Sequence, residues 1–445
     1  MSNNENKNPN LSAVGVGMPP PIVSKTFDGT TLSEADLARA FATAPSVTNA
    51  DGVDCQACVF VCGGGASFDD LAERDWVVRQ PSKMSDHRKI RDPREKNEQV
   101  TRYIKAQCEY PVLSAIDVGD VTGEGVLLTK FFPSPSMKSL LLSLAVTRKV
   151  RAVVFSAVSR SYGFFFSAED RNMLVDLDSF GICVYYFSAE SKALYQFTRR
   201  VDCDVGMFVP TKRRDEYLRA TFLGVYGSNL VAGDLEAELE TLLMGLLELR
   251  KTCGHELLNP GRPLAVVTGG GPGAMEVGNR VAKRLGILSC GMIVDFGSLT
   301  RKPGATINEQ KQNQFVEAFM TYRPEKIVER QADFHLDIPI FLTGGIGTDF
   351  EYALEEVRRK VCTTPPNPMI LFGDTWPSKI THRFQTNLAA GVIKGSEWTA
   401  NVPFVVEGGM QALKVLTSFF EGTLPVGPKH PSNDLGYVNV QGWVL

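Results

Sequence analysis

The chain is poor in several features that would place it in a familiar functional class. None of its apolar runs reaches the roughly 18 residues that a transmembrane helix needs, so no membrane span is predicted. The formal net charge is only −3, which disfavours nucleic acid as a partner. Nine cysteines, an odd number, are scattered along 445 residues, which favours reduced thiols over a disulfide framework. Residues 1–10 are polar, and we expect a cytoplasmic protein without a secretory signal.

Two common nucleotide-binding motifs are missing from the most glycine-rich turn of the chain. The turn at residues 269–273 has no Lys-Ser/Thr ending, so it is not the P-loop of a nucleoside triphosphatase. It also lacks the Gly-x-Gly-x-x-Gly spacing of a dinucleotide site, which disfavours an NAD-dependent oxidoreductase.

The length is sufficient for two domains, and composition suggests where they begin. Residues 1–50 are rich in Asn, Ser, Ala and Pro and indicate a flexible N-terminal arm with a short helix near 32–44. We predict a mixed α/β domain of unknown role at 51–215, a domain of regular strand–helix alternation at 216–425 and a C-terminal tail at 426–445. A charged stretch at 82–105 is typical of an exposed helix or loop.

Strand-like and helix-like segments alternate from residue 216 onward. Predicted strands lie at 57–62, 152–156, 182–187, 221–226, 264–267, 289–294, 338–342, 368–372 and 403–406. Predicted helices lie at 235–252, from the first glycine turn to 285, over much of 315–334, from the second glycine turn to 360, and at 409–420. This order predicts a Rossmann-like parallel sheet with helices on both faces, plus an N-terminal mixed α/β domain.

Two glycine turns, each between a predicted strand and a predicted helix, carry the strongest functional signal. They are residues 268–276 (Thr-Gly-Gly-Gly-Pro-Gly-Ala-Met-Glu) and 343–351 (Thr-Gly-Gly-Ile-Gly-Thr-Asp-Phe-Glu). Glycine lets the backbone approach a phosphate closely, and the free N–H groups of a helix N-terminus point at it. The first turn alone is equally consistent with glycines needed for close helix–strand packing.

A carboxylate ends the second turn. Glu351 lies one helical turn beyond the glycines, so its side chain is expected to face the same pocket, and Thr348 is expected to cap the helix or bind phosphate. The alternative is that Glu351 is merely a favourable negative charge near a helix N-terminus.

These motifs resemble those of the LOG (Lonely Guy) family, once called lysine decarboxylase-like. Residues 343–351 match its Pro-Gly-Gly-x-Gly-Thr-x-x-Glu hallmark except at Thr343, where the family has proline. Residues 269–276, with Asn279 and Ala282, resemble its Gly-Gly-Gly-Pro-Gly-x-Met-Glu turn, and Gly227-Ser228 resemble its first strand ending. The resemblance covers about 216–425 and is strongest to the bacterial pyrimidine/purine nucleotide 5′-monophosphate nucleosidases.

One family position is uncertain from sequence. The family carries Arg-Lys shortly before the second turn, and the best match here is Arg330-Gln331, which keeps the arginine but not the lysine. The spacing to Thr343 is about two residues shorter than the family pattern, which leaves Arg323 as a rival.

The resemblance implies a phosphoribohydrolase that cleaves the N-glycosidic bond of a nucleoside 5′-monophosphate such as AMP, without metal or other cofactor. It implies Glu351 and Arg330 as catalytic residues and a homodimer or higher homo-oligomer. It implies substrate and phosphate contacts at Gly227, Ser228, Gly270, Gly271, Gly273, Met275, Glu276, Gly344, Gly345, Gly347 and Thr348. The alternative is a nucleotide or molybdenum-cofactor binding protein on the same fold that does not hydrolyse its ligand.

Weaker candidates lie elsewhere. Cys55, Cys58 and Cys62 have a spacing that could hold a metal, although a buried strand is the better interpretation. The glycines at 63–65 are either a further anion-binding turn or a plain loop, and the histidines lack a catalytic-triad context. The polar segment at 296–314 is long for a connection and predicts a mobile lid or, alternatively, a surface loop.

Overall fold

A computed structural model describes residues 32–48, 54–62, 68, 71–79, 92–94, 111–121, 123–133, 137–158, 166–200, 203, 205–229, 235–294, 312–323, 326–395 and 397–440. Its strands are β1 (Gln56–Cys62), β2 (Val77–Arg79), β3 (Gly125–Phe131), β4 (Val150–Ala157), β5 (Cys183–Ser188), β6 (Ala193–Arg199), β7 (Gly206–Pro210), β8 (Thr221–Tyr226), β9 (Leu264–Thr268), β10 (Leu288–Val294), β11 (Ala318–Tyr322), β12 (Ile338–Phe341), β13 (Met369–Phe372), β14 (Pro403–Val406) and β15 (Val438–Asn439).

Its α-helices are α1 (Glu34–Ala42), α2 (Pro111–Val118), α3 (Lys138–Leu141), α4 (Leu144–Lys149), α5 (Ala168–Ser179), α6 (Arg214–Arg219), α7 (Glu236–Leu249), α8 (Ala274–Arg284), α9 (Ile327–Ala332), α10 (Ile346–Lys360), α11 (Thr375–Ala389) and α12 (Gly409–Phe420). Short 3₁₀ turns occur at Glu73–Asp75, Thr211–Arg213 and Trp398–Asn401. None of the helices in the described residues is long and apolar enough to cross a membrane.

The strands β8 to β15 form the C-terminal half, and every pair among them is parallel. Their order is β15-β14-β13-β12-β8-β9-β10-β11. Within this half, β8 is central, and β9, β10 and β11 follow one another outward on one side of it. The chain then returns to the other side of β8, where β12 pairs with it. The predicted Rossmann-like parallel sheet is confirmed, and the strand order reverses between β8 and β12, the kind of switch point where such sheets bind ligands.

The strands β1 to β7 form the N-terminal half, which is mixed as predicted. Strands β3, β4 and β5 are parallel, whereas β1 and β2 at one edge and β6 and β7 at the other are antiparallel to their neighbours. Strand β7 meets β11 in an antiparallel bridge between Phe208 and Phe319, so a single fifteen-stranded sheet runs through both halves.

Helices cover both faces of this sheet. On β8, Phe222 and Tyr226 belong to one hydrophobic core, and Leu223 and Val225 belong to another. Because successive side chains of a strand point to opposite faces, these two cores lie on opposite sides of the sheet. Helices α5, α10 and α11 contribute to the first core, and α7, α8 and α12 to the second. Burial on both faces is typical of parallel strands.

One predicted element is wrong. Residues 315–334 were expected to be mostly helical, but they contain strand β11 followed by the short helix α9. The sequence of β11 is the apolar run Ala-Phe-Met-Thr-Tyr, and periodicity alone cannot distinguish a strand from a buried helical turn in so short a run. The sequence patterns also missed strands β2, β3, β6, β7 and β15 and helices α2, α3, α4, α5, α6 and α11.

The described ends of the chain are packed. In the predicted arm, Ser33 caps α1, and Leu37 and Ala40 are fully buried in a core with β1, β3 and β4. In the predicted tail, β15 pairs with β14, and Tyr437 and Val440 are buried. The glycines at 63–65 lie outside the described residues, as does the stretch 82–105 apart from the exposed residues 92–94.

Candidate functional site at the switch point

Three backbone segments meet where the strand order reverses. Gly227 and Ser228 follow β8, the first glycine turn follows β9, and the second follows β12. The Ser228 amide donates to the Thr343 carbonyl at 3.2 Å, and the Ala274 amide donates to the Ser228 carbonyl at 3.0 Å. A Cβ on Gly227 would lie 2.5 Å from the Cβ of Ala274, so only glycine allows this approach.

The first glycine turn is held by buried side chains. The Gly270 amide donates to Thr268 Oγ1 at 2.9 Å, and Thr268 Oγ1 donates to Asn279 Oδ1 at 2.6 Å. Asn313 Nδ2 donates both to Asn279 Oδ1 and to the Gly271 carbonyl, each at 2.9 Å. A fully satisfied polar network of this kind rigidifies the backbone around it.

The backbone conformation also requires glycine at two positions of this turn. Gly270 and Gly273 have φ of +71° and +67°, which other residues rarely adopt. A Cβ on Gly273 would also lie 2.5 Å from the Asn229 backbone. Close packing and anion binding therefore both remain valid reasons for glycine here.

Met275 and Glu276, the two side chains predicted beside the first turn, lie in different surroundings. A Cβ on Gly271 would lie 2.8 Å from Met275 Cε, so Met275 folds back over the turn. Glu276 Oε1 accepts from Arg280 Nη1 at 3.0 Å, and Arg280 also pairs with Glu236. Glu276 is thus engaged in an ion-pair network on the helix surface in this structure.

The second glycine turn is more open. No atom of the described residues would lie within 4 Å of a Cβ added to Gly345 or Gly347, and both residues are exposed at the N-terminus of α10. Gly344 differs, since a Cβ there would overlap the buried Thr348 side chain. Lys379 Nζ donates to the Gly344 carbonyl at 2.9 Å and pairs with Asp349 at 2.7 Å, which fixes the turn from the side of α11.

Arg330 joins the two turns. Its Nη2 lies 3.5 Å from Glu351 Oε1, and the side chains of Arg330 and Glu351 are only 9% and 16% exposed. A Cβ on Gly269 would lie 2.8 Å from Arg330 Nη1, so the guanidinium also touches the first turn. The rival Arg323 follows β11 directly. Of the two arginines that the sequence left open, Arg330 is the one whose contact with Glu351 is observed.

The hydrogen bonds of Arg330 fix its orientation. Nη2 donates to Gln331 Oε1 at 3.1 Å and Nη1 to the Met292 carbonyl at 3.4 Å. The buried Nε has no hydrogen-bond partner among the described residues. A buried guanidinium donor without a partner is costly, and a ligand oxygen would relieve that cost.

Burial raises the pKa of Glu351 to about 7, with Arg330 opposing the shift and the nearby Glu355 adding to it. A carboxyl group with a pKa near neutrality can exchange a proton with water at physiological pH. The site therefore contains a carboxyl group suited to proton transfer with water, and it lies next to the guanidinium of Arg330.

A buried hydrogen-bond chain behind the site was missed from sequence. Gln331 Nε2 donates to Tyr226 Oη at 3.1 Å, and Tyr226 Oη donates to Glu355 Oε1 at 3.4 Å. Arg359 Nη1 closes the chain on Glu355 Oε2 at 2.7 Å. The available signal was the spacing of Glu351 and Glu355, which puts two carboxylates on one helix face.

The remaining candidates lie away from this site. Cys55 and Cys58 are buried beside or within β1, and no cluster of three or more potential metal-ligating side chains occurs in the described part of the chain. His255 packs against Phe419 and Phe420. The predicted lid at 296–314 lies outside the described residues except for 312–314, where Asn313 holds the first turn.

Comparisons with known proteins add little. No protein-family model and no curated protein matches the chain. Among solved structures, the chain is similar to the molybdenum cofactor binding protein from the phototrophic bacterium Rippkaea orientalis, with 17% identity over 45% of this chain and 98% of that chain and a TM-score of 0.29. A likeness of this degree does not identify a ligand for this chain.

Proposed function

We propose that the chain is a nucleoside 5′-monophosphate phosphoribohydrolase that releases the free base and ribose 5-phosphate. The observation that carries the proposal is the pairing of Glu351 with Arg330 between two glycine turns at the switch point of the sheet. A carboxylate of raised pKa beside an anion-binding backbone matches the needs of a phosphorylated sugar that is cleaved by water.

The 5′-phosphate would bind at the helix N-termini that follow the two turns. The open backbone at Gly345 and Gly347 supports this placement. Hydrogen bonds between N–H groups and a charged phosphate contribute about 1.5–3 kcal/mol each. The dipole of α10 adds about 0.3–1 kcal/mol.

Glu351 would act on the water. In its ionised form it accepts a proton from the water while the oxygen bonds to C1′ and the C1′–N bond breaks, and the proton passes to the departing base. The sugar develops oxocarbenium character in this step, and a nearby carboxylate stabilises that positive charge. Water, nucleotide, base and ribose 5-phosphate balance without a cofactor.

Arg330 would orient the substrate and the Glu351 carboxylate, and it would not transfer a proton. A guanidinium does not serve as a proton donor in proteins, but its fixed fork of N–H groups can hold a phosphate or ribose oxygen and the Glu351 carboxylate together. The unpartnered Nε supports this role.

The decisive experiment is an incubation with AMP, GMP, IMP, CMP and UMP, followed by detection of free base and ribose 5-phosphate. Adenosine is the matched control for AMP, because it leaves the anion site empty and should react far more slowly. Binding of nucleotide or molybdenum cofactor without any base release would instead establish the non-catalytic sensor or carrier. Equal cleavage of AMP and adenosine would contradict the phosphate site.

We also propose that the protein is a cytoplasmic homo-oligomer, at least a dimer. Seven cysteines in the described part of the chain are free thiols, which supports a reducing compartment. An exposed apolar stripe runs along one face of α10 and its C-terminus, at Ile346 (91%), Phe350 (41%), Val357 (51%) and Val361 (60%). An unpartnered stripe of this kind marks an interaction surface. Val357→Glu should dissociate the oligomer in light scattering, and an unchanged mass would exclude this face.

A further inference from the structure

Arg330 lies on α9, a helix that is too short to be stable without contacts to other elements. It has six residues, far fewer than the roughly 12 that an isolated helix needs to be marginally stable. Its Ile327 and Val328 side chains are exposed. Its position must therefore come from contacts with other elements.

One of those elements belongs to the N-terminal half. Arg171, in the first turn of α5, reaches across the seam between the two halves of the sheet, where β7 meets β11. It pairs there with Glu329, the residue immediately before Arg330. The Arg171 guanidinium also lies 4.3 Å from the ring centroid of Tyr322 on β11, and the Tyr322 hydroxyl donates to Asp333 at 3.0 Å. Glu329 and Asp333, on either side of Arg330, are thus both connected to Arg171.

Arg171 is itself rigidly placed. Its Nη1 donates to the Phe166 carbonyl at 3.0 Å, and its side chain is only 8% exposed. Ser167 and Asp170 form a capping box that fixes the start of α5. The Phe166 amide donates to Thr321 Oγ1 at 3.1 Å, which ties this point of the N-terminal half to β11.

We propose that the N-terminal half serves as a positioning unit for the catalytic helix, and that Arg171 is the positioning residue that holds Arg330 against Glu351 through Glu329. This inference rests on the proposed function for its catalytic consequence. Misplacement of a catalytic group by about 1 Å lowers rates severely, so a buried clamp next to Arg330 acts on turnover. A lysine at position 171 would keep the charge but lose the planar stacking and the forked hydrogen bonds.

The test compares Arg171→Met with Arg199→Met. Arg199 is a matched control, because it pairs with Asp178 at the other end of the same helix α5. For a nucleoside monophosphate, Arg171→Met should lower kcat by about tenfold with little change in KM, whereas Arg199→Met should leave kcat unchanged. Glu329→Gln, at a partly exposed position, should reproduce the loss, and the double variant should lose no more than either single one. Wild-type kcat in Arg171→Met or Glu329→Gln would overturn the clamp.

A second readout does not depend on catalysis. Hydrogen exchange of the α9 amides, residues 327–332, should accelerate in Arg171→Met and Glu329→Gln but not in Arg199→Met. If the wild-type protein releases no base from any monophosphate, the proposed function fails, and this measurement still decides the clamp. Unchanged exchange of α9 in both variants would refute the clamp on its own.

Discussion

At the scale of single residues, the site depends on how burial changes the chemistry of one carboxyl group. Glu351 is nearly enclosed, and its pKa rises to about 7 although a guanidinium lies 3.5 Å away. The sequence predicted Glu351 and Arg330 from their motifs. It could not predict the shifted pKa, because the burial that raises the pKa of Glu351 comes from the packing of α10 in the fold.

Replacing the carboxylate tests its role directly. Glu351→Gln keeps the shape and removes the charge, so base release should fall by about 10²–10³ while the melting temperature changes little. Glu356→Gln is a suitable control, because Glu356 lies on the same helix but pairs with Arg383. Turnover near that of the wild type in Glu351→Gln would remove Glu351 from the mechanism.

The pH dependence should report the same group. The raised pKa means that Glu351 becomes protonated below about pH 7, so kcat/KM should be flat above that value and fall by about tenfold per unit well below it. Glu355 contributes to the increase, so Glu355→Gln should move the midpoint to lower pH. The phosphate of the substrate titrates identically in both enzymes, which makes the difference between the two profiles the informative quantity. Identical midpoints would argue against Glu351 as the titrating group.

At the scale of elements, prediction succeeded where a strand, a turn and a helix follow one another and glycine or other turn residues mark the boundaries. Strands β8 and β14 and helix α12 have the predicted bounds, and both glycine turns lie at strand ends as expected. Prediction failed at β11, because an apolar strand of five residues is too short to show a period, and of the predicted helical segment at 315–334 only α9 is a helix. Tertiary pairing with β10 and β7 determines that β11 is a strand.

The glycines of the second turn should differ in their tolerance. Gly344→Ala forces a methyl group into Thr348, and overpacking of this kind costs about 1–3 kcal/mol. Gly347→Ala meets open space inside α10, where alanine favours helix by about 1 kcal/mol. Thermal unfolding should therefore show a lower midpoint for Gly344→Ala and an equal or higher one for Gly347→Ala. A raised KM for the monophosphate in the Gly347 variant would then reflect the approach of phosphate rather than misfolding.

At the scale of the whole molecule, the predicted boundary near residue 215 divides a sheet that is continuous. Composition changes there, but the Phe208–Phe319 bridge and the shared core run across it. Sequence patterns record local periodicity, whereas the pairing of β7 with β11 joins segments more than a hundred residues apart. The N-terminal half is therefore placed to influence the site, which its sequence alone did not indicate.

This continuity predicts cooperative unfolding. Phe208 is fully buried and stacks on Phe166 at a centroid distance of 5.3 Å on the N-terminal side, and it lies 5.9 Å from Phe319 on the C-terminal side. Phe208→Ala should lower the unfolding free energy by about 3–5 kcal/mol. Calorimetry and urea unfolding should show one transition for wild type and variant alike, shifted as a unit. Two separate transitions, with only the first sensitive to Phe208→Ala, would mean that the halves fold independently and that the seam does not transmit stability to the site.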